Sequence, residues 1–215
     1  MRLNRYIDHT LLRSDATPAD IDRLCAEAIE HEFYSVVVNP IFVPQAVEKL
    51  KKTKIKVCSV VGFPLGANHT EIKMAEAARI DAEGAEEIDI VANIGWLTEE
   101  KVHRVIKELS EVRRRIAAET ILKVIIETPI LKEELWQPTV EGLIRARIDF
   151  VKTATGYNGA TPVEHVKKLK KLCGKKIKIK AAGGIKTAAD AHAMIDAGAS
   201  RIGSSSSVQI MKSDK

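Results

Sequence analysis

The sequence predicts an α/β fold, a closed (β/α)8 barrel occupying residues 1–215 as one domain. Short β-branched runs alternate with longer amphipathic stretches from one end to the other, the pattern of βα units around a parallel sheet. Eight such runs are present, and no GxGxxG turn follows the first, so a closed barrel accounts for them better than an open dinucleotide-binding sheet. No stretch rich in Pro, Gly or Ser and no block of charge divides the 215 residues.

The first strand is short, around Tyr6 to His9. Thr17 and Pro18 then open a helix with apolar positions at Ile21, Leu24 and Ile29, Pro being tolerated in a first turn. Strands follow at Ser35 to Asn39, Lys56 to Gly62, Glu87 to Asn93, Leu122 to Glu127 and Phe150 to Thr155, with Gly84 just past a helix end. Next, Val163, Val166, Leu169 and Leu172 recur every third residue, predicting a helix with a core-facing stripe and a solvated basic face. The seventh strand runs Lys178 to Ala182, Thr187 starts an Ala-rich helix that Gly198 follows, and the eighth strand runs Arg201 to Ser204. After Ser207 only eight residues remain, so the last helix is short or missing.

Net charge is +5, but the lysines concentrate on the helix after the sixth strand, and the aromatic residues, 4% of the chain, do not interleave with them. That argues against a nucleic-acid partner. No segment approaches the roughly 20 apolar residues that span a bilayer, and the first residues lack a leader-like apolar run, so a soluble cytoplasmic protein with no membrane contact is expected. Cys25, Cys58 and Cys173 are far apart and free of CxxC spacing, which predicts small buried hydrophobes. His31, His103, His165 and His192 fall in helical stretches, His9 and His69 lie near strand ends, and no HxH, HxxxH or HExxH occurs, so no metal is expected.

In a parallel barrel the reactive end is the carboxyl end of the strands. Period-two alternation places Asp89 with Asn93, Lys123 with Glu127, Lys152 with Ala154, and Lys178 with Lys180 on shared faces. Charges inside a barrel are costly unless they neutralise one another, and while an ion-pair cluster explains any one of them, function explains the set. Lys152 and Lys180 end successive strands. A lysine in an apolar mouth beside a second ammonium loses its proton near neutral pH and attacks a carbonyl as a free amine. The shift needed is roughly 3 units from about 10.4, or about 4 kcal/mol. Two like charges about 4 Å apart at an effective dielectric near 20 repel by about as much. Asp89 opposes the shift unless it sits closer to Lys180, which would leave Lys152 as the neutral nucleophile.

Gly156 ends the sixth strand, Gly183 and Gly184 the seventh, and Arg201-Ile-Gly-Ser-Ser-Ser-Ser207 the eighth. Any one of these glycines meets only a turn's need for positive φ. Together, in the last loops of a barrel, their amides and the serine hydroxyls form a phosphate cradle.

The motifs Ile7-Asp-His-Thr-Leu-Leu12, Val60-Val-Gly-Phe-Pro-Leu-Gly-Ala67, Glu87-Ile-Asp-Ile-Val-Ala-Asn-Ile-Gly95, Lys123-Val-Ile-Ile-Glu-Thr128, Phe150-Val-Lys-Thr-Ala-Thr-Gly156, Lys180-Ala-Ala-Gly-Gly-Ile185 and Arg201-Ile-Gly203 occur in order over nearly the whole chain. In these the sequence closely resembles the deoxyribose-phosphate aldolase family of class I, Schiff-base-forming aldolases with a TIM-barrel fold. The resemblance implies reversible cleavage of 2-deoxy-D-ribose 5-phosphate to acetaldehyde and D-glyceraldehyde 3-phosphate, in deoxyribose phosphate catabolism, without cofactor. It implies that Lys152 forms the Schiff base, Lys180 perturbs its pKa and Asp89 relays protons, with Asp8 and Lys123 in support. Family phosphate contacts fall on Gly156, Gly183, Gly184, Gly203, Ser205 and Ser206, with Lys186 nearby. It further implies a homo-oligomer, dimer or tetramer. The chain departs from the family at Val37, where relatives carry Cys, and at Ser207, where they carry Gly. Two rivals share part of the pattern: another Schiff-base sugar-phosphate aldolase, and a catalytically silent barrel that binds sugar phosphates.

Overall fold

Eight parallel strands each pair with their sequence neighbour, and the last closes on the first. The computed structural model describes residues 2–214. The strands are β1 (Ile7–Leu11), β2 (Ser35–Val38), β3 (Lys56–Val61), β4 (Glu87–Val91), β5 (Ile121–Ile125), β6 (Phe150–Lys152), β7 (Lys178–Ala182) and β8 (Arg201–Ser204). Outside them lie α1 (Pro18–Glu30), α2 (Val43–Leu50), α3 (Thr70–Ala82), α4 (Ile94–Thr98), α5 (Val102–Arg113), α6 (Trp136–Arg145), α7 (Val163–Cys173), α8 (Ala188–Asp196) and α9 (Ser207–Ser213). The main apolar core fills the layer between strands and helices, with Ile21, Leu24, Val36, Ile88, Val124, Leu143, Val151, Ile179 and Ile202 all buried.

Local signals explain several boundaries. Thr17 and Asp20 cap each other's backbone at the start of α1, and Thr187 and Asp190 do the same for α8. Five strands stop short of the runs the sequence offers, β2 by the single residue Asn39. β3 ends at Gly62, whose φ is +63°, and β5 ends before Glu127, whose φ is +54°. After β4, Asn93 leaves the ladder to accept the Trp96 N–H at the start of α4, a helix the sequence pattern did not announce. β6 is only three residues long, and Ala154 and Thr155 lie beyond it.

The stripe on α7 differs from the spacing of three. Val166, Leu169 and Cys173 are buried, whereas Leu172 is exposed. A spacing of three precesses around a 3.6-residue helix, so the buried line steps three and then four. The final helix is short: α9 has seven residues, and it packs its buried Ile210 side toward α8 and β1, across the seam where β8 meets β1. His31 sits at the cap of α1 and His69 just before α3, while His103, His165 and His192 lie on helices. Among the described residues, no helix is long and apolar enough to cross a membrane.

Candidate active site

Register brings the charges to neighbouring levels inside the barrel. Asp89 on β4 pairs with Lys123 on β5, Lys152 on β6 with Lys180 on β7, and Lys180 with Arg201 on β8. Because paired residues on neighbouring strands share a face, these side chains all project inward. Asp8 reaches the same space from β1, Glu87 from the start of β4.

The contacts close into a ring of alternating charge. Asp89 Oδ1 lies 2.8 Å from Lys123 Nζ, and Lys123 Nζ lies 2.7 Å from Glu87 Oε2. Glu87 Oε2 lies 3.3 Å from the Arg201 guanidinium, which donates to Asp8 Oδ1 at 2.8 Å. Asp8 Oδ2 stands 2.5 Å from Lys180 Nζ as a close charge contact without hydrogen-bond alignment, and Lys180 returns to Asp89 Oδ2 at 2.7 Å. Ser35 adds a hydroxyl donor to Asp8 Oδ1 at 2.7 Å, and the Arg201 guanidinium lies 3.3 Å from the Tyr34 ring centroid. Three carboxylates thus meet three cations, all buried. Lys152 is the fourth cation: its Nζ donates to Asp89 Oδ2 at 2.8 Å, an oxygen that Lys180 already uses.

Charge count decides which group gives up its proton. With the ring neutral, a protonated Lys152 would leave one unbalanced positive charge in the barrel. Burial and the neighbouring Lys180 ammonium together hold the Lys152 amine below its ordinary value, although Asp89 pulls the other way. Burial pushes Lys180 down as well, but Asp8 and Asp89 outweigh it and Lys180 is raised. Lys123 is held well above its usual value, Asp89 and Glu87 among others overcoming burial. Burial works against the ionised forms of Asp89 and Asp8; ammonium and guanidinium neighbours win, and both carboxyls fall well below the usual carboxylate range. Cys58 Sγ sits 3.3 Å from both Asp89 Oδ1 and Lys123 Nζ, and its thiol is pushed up to about 12, by burial first and then by Asp89. It is therefore a thiol, with its S–H turned on the carboxylate.

The condition under which Asp89 would not oppose the shift, a position closer to Lys180 than to Lys152, is not met by distance. The two distances, 2.7 and 2.8 Å, are equal in effect. Asp8 breaks the tie, since it touches Lys180 and not Lys152. Period two places Lys178 on the Lys180 face, but the residue lies at the far end of the barrel, exposed, with its ammonium 5.5 Å from the Phe150 ring.

Above the ring opens a cavity of about 450 Å³ with Lys152 on its floor. Gly156, Gly183, Gly184, Lys186, Gly203, Ser205 and Ser206 all line it. A Cβ at Gly184 would stand 2.5 Å from the Ala160 Cβ, and one at Gly203 would stand 3.1 Å from Lys180 Cε. The first glycine lets two loops meet and the second leaves Lys180 room beside β8. In the serine run the hydroxyls divide. Ser204 donates to the Ile185 carbonyl and Ser207 to the Ser204 carbonyl, whereas Ser205 and Ser206 line the cavity. Ser207 is buried with its hydroxyl committed to backbone, so its side chain stays out of the pocket.

Sequence reasoning missed Glu87 and Arg201, although each shares a face, two residues away, with a residue already singled out: Asp89 and Gly203. It also missed Thr10, Arg13, Phe63, Thr155 and Tyr157, which stand in the cavity wall; the Phe63 and Tyr157 rings meet edge-on at 5.6 Å. Cys25 and Cys173 are buried in apolar surroundings as expected, while Cys58 lies among charges. His9 faces outward from the barrel centre, buried and bonded to Glu27. Among the described residues no group of three or more His, Cys, Asp or Glu is arranged to hold a metal ion.

The model of the family described as DeoC/LacD family aldolase matches residues 3–211. Among curated relatives, the deoxyribose-phosphate aldolase of Natranaerobius thermophilus is 46% identical over 213 residues, 98% of this chain and 96% of the relative. That of Brevibacillus brevis is 45% identical over 216 residues, 100% of this chain and 97% of the relative. The structure of an aldolase called QR15 superposes with a TM-score of 0.93 at 40% identity, covering 98% of this chain and 94% of that one. A deoxyribose phosphate aldolase from Aeropyrum pernix, described as tetrameric, superposes with a TM-score of 0.92 at 33% identity, covering 98% and 90%.

Proposed function

This chain belongs to the DeoC/LacD family of aldolases, which are carbon–carbon lyases, and from that premise we propose that it reversibly cleaves 2-deoxy-D-ribose 5-phosphate to acetaldehyde and D-glyceraldehyde 3-phosphate through an imine on Lys152. The observation that carries the reading is the fourth cation. Lys152 alone among these four inward cations has no carboxylate oxygen to itself, its one contact, Asp89 Oδ2, being shared with Lys180, and it alone of them lines the cavity.

Neutral Lys152 attacks the sugar's C1 aldehyde, and loss of water with uptake of one proton, returned at the final hydrolysis, gives the protonated imine. Removal of the C3 hydroxyl proton breaks the C2–C3 bond; its electron pair runs into the imine as an enamine, and C3 leaves as the aldehyde of glyceraldehyde 3-phosphate. Protonation at C2 and hydrolysis then free acetaldehyde and restore the amine. Asp89 Oδ2 touches both Lys152 and Lys180, so a proton can pass between the two nitrogens over a single carboxylate oxygen. Asp8 and Lys123 hold Lys180 and Asp89 in their charged states. Gly156, Gly183, Gly184, Gly203, Ser205 and Ser206 would receive the 5-phosphate, with Lys186 adding charge at the rim. The chain's own lysine supplies the electron sink, so the reaction needs no cofactor.

The same reading makes the protein a cytoplasmic enzyme of deoxyribose phosphate catabolism. It works as a homo-oligomer, dimer or tetramer, which the tetrameric Aeropyrum pernix relative supports.

The test is borohydride reduction in the presence of 2-deoxyribose 5-phosphate, followed by intact mass and peptide mapping. An adduct on Lys152 is expected. Binding without an adduct would favour the silent barrel, and an adduct only with another sugar phosphate would change the substrate.

A further inference from the structure

Glu127 is a buried carboxylate that the reaction does not use. It follows β5 with φ +54°, a left-handed conformation that a glutamate adopts only when its surroundings impose it. Among the described residues it has no cationic partner. Its carboxylate meets one residue: the Thr155 N–H, 3.1 Å from Oε1 and 3.3 Å from Oε2, and the Thr155 hydroxyl, which donates to Oε2 at 2.7 Å. Thr155 lines the cavity between Lys152 and Gly156. A sugar phosphate joined to Lys152 with its phosphate on the glycine loops would occupy the same cavity as Thr155, with its hydroxyl-bearing carbons between those two ends.

A threonine hydroxyl has one proton to give and two lone pairs. The proton goes to Glu127, and one lone pair takes the Tyr157 N–H at 3.1 Å. One lone pair is left for a ligand. We propose that Glu127 is a positioning residue that fixes the polarity of Thr155, so that the cavity accepts a hydrogen bond from the substrate's C4 hydroxyl and rejects a group there that can only accept one. A buried carboxylate suits this better than an amide would, because it offers no proton of its own. The proposal rests on the aldolase reading and adds to it a specificity rule.

In the condensation direction the C4 hydroxyl is the C2 hydroxyl of glyceraldehyde 3-phosphate. The experiment measures kcat/KM with acetaldehyde and either that acceptor or its 2-fluoro analogue, for wild type and Glu127→Gln. The glutamine matches glutamate in shape and keeps an acceptor for the Thr155 N–H, but its NH2 must face the Thr155 oxygen and turn the hydroxyl proton into the cavity. The hydroxyl-over-fluorine preference is expected to fall about tenfold or more in the variant. Taking the ratio within each enzyme cancels the intrinsic reactivity of the two aldehydes. An unchanged ratio, with or without a general loss of rate, would overturn the proposal and make Glu127 a purely structural group. If Glu127→Gln does not fold, Thr155→Val and Thr155→Ser serve: valine should abolish the preference and serine keep it, and a preference that survives in valine overturns the proposal equally. A wild-type enzyme that does not condense the hydroxylated acceptor at all would instead defeat the aldolase reading.

Discussion

Two buried lysines, one in the seam between α3 and α5 and one in the barrel mouth, separate what burial does from what chemistry needs. Lys73 is fully buried in the seam, donating to the Val91 carbonyl at 2.9 Å and to Glu108 at 2.7 Å. Glu108 takes the Thr70 hydroxyl on its other oxygen and serves no second cation. Burial lowers Lys73 below its ordinary value, with Glu108 opposing, much as burial lowers Lys152 with Asp89 opposing. Yet Lys73 faces no cavity and belongs to a balanced pair, whereas Lys152 faces one and shares its only carboxylate oxygen. Desolvation alone therefore does not make a nucleophile. In the proposed mechanism the difference lies in one cation more than the carboxylates can balance, together with a path to a carbonyl.

The sharpest break of that comparison is Lys152→Met, which should abolish cleavage, to below roughly one part in 10⁴ of wild-type kcat, while leaving the circular dichroism spectrum intact. It removes the one amine that must shed its proton to be buried there and leaves the neutral ring intact, so the urea midpoint should hold or rise. Turnover surviving in this variant would remove Lys152 from the mechanism. Lys180→Leu comes next, with an expected loss of kcat on the order of 10²–10⁴. Its pH profile carries the sign: with the repelling ammonium gone and Asp89 left to Lys152, the amine titrates higher, and the acid limb of kcat/KM moves to higher pH. A limb that stays put would mean that Lys180 does not set the Lys152 pKa.

Lys73→Met is the counterpart from the other region. Leaving Glu108 buried without its cation should cost about 3–5 kcal/mol of stability by urea denaturation. kcat/KM should stay within about threefold of wild type, as for a residue outside the site; a dead but stable Lys73→Met would erase the distinction. The smallest effect is on acid stability. Asp8 and Asp89 titrate below the value near 3.9 of an unfolded carboxylate, so their contribution is complete above that value and drains away as pH falls below it. Urea midpoints measured from pH 6 to pH 2 should hold until about pH 4 and then drop. Asp8→Asn should drop less steeply.

Much of this was legible in the sequence because strands announce their facing by period two. Lys123, Lys152, Lys180 and Asp89 each sit within a β-branched run, and the alternation alone turns them inward. Glu87 and Arg201 obey the same rule but begin their strands, and attention to carboxyl ends passes over the floor of a barrel. What alternation cannot provide is which inward group touches which. Asp89 bonds across to β5, β6 and β7 because a barrel converges on its axis, and the tie between Lys152 and Lys180 is broken from β1 by Asp8, 172 residues away from Lys180 in the chain. Glu127 is misplaced by alternation rather than missed: read as the end of a strand it shares a face with Lys123, but its left-handed backbone turns its side chain to Thr155 instead.

The contact between Asp8 and Arg201 joins the second residue of β1 to the first of β8. During synthesis, then, the first carboxylate of the ring must wait for almost the entire polypeptide before its guanidinium exists. Until β8 leaves the ribosome, Asp8 and Glu87 lack a counter-ion that the finished barrel gives them, and sealing them from water early would be opposed by their own hydration. Seven strands would hold three carboxylates against Lys123 and Lys180 without the guanidinium that touches both Asp8 and Glu87, so the last strand to be made completes the charge balance of the interior.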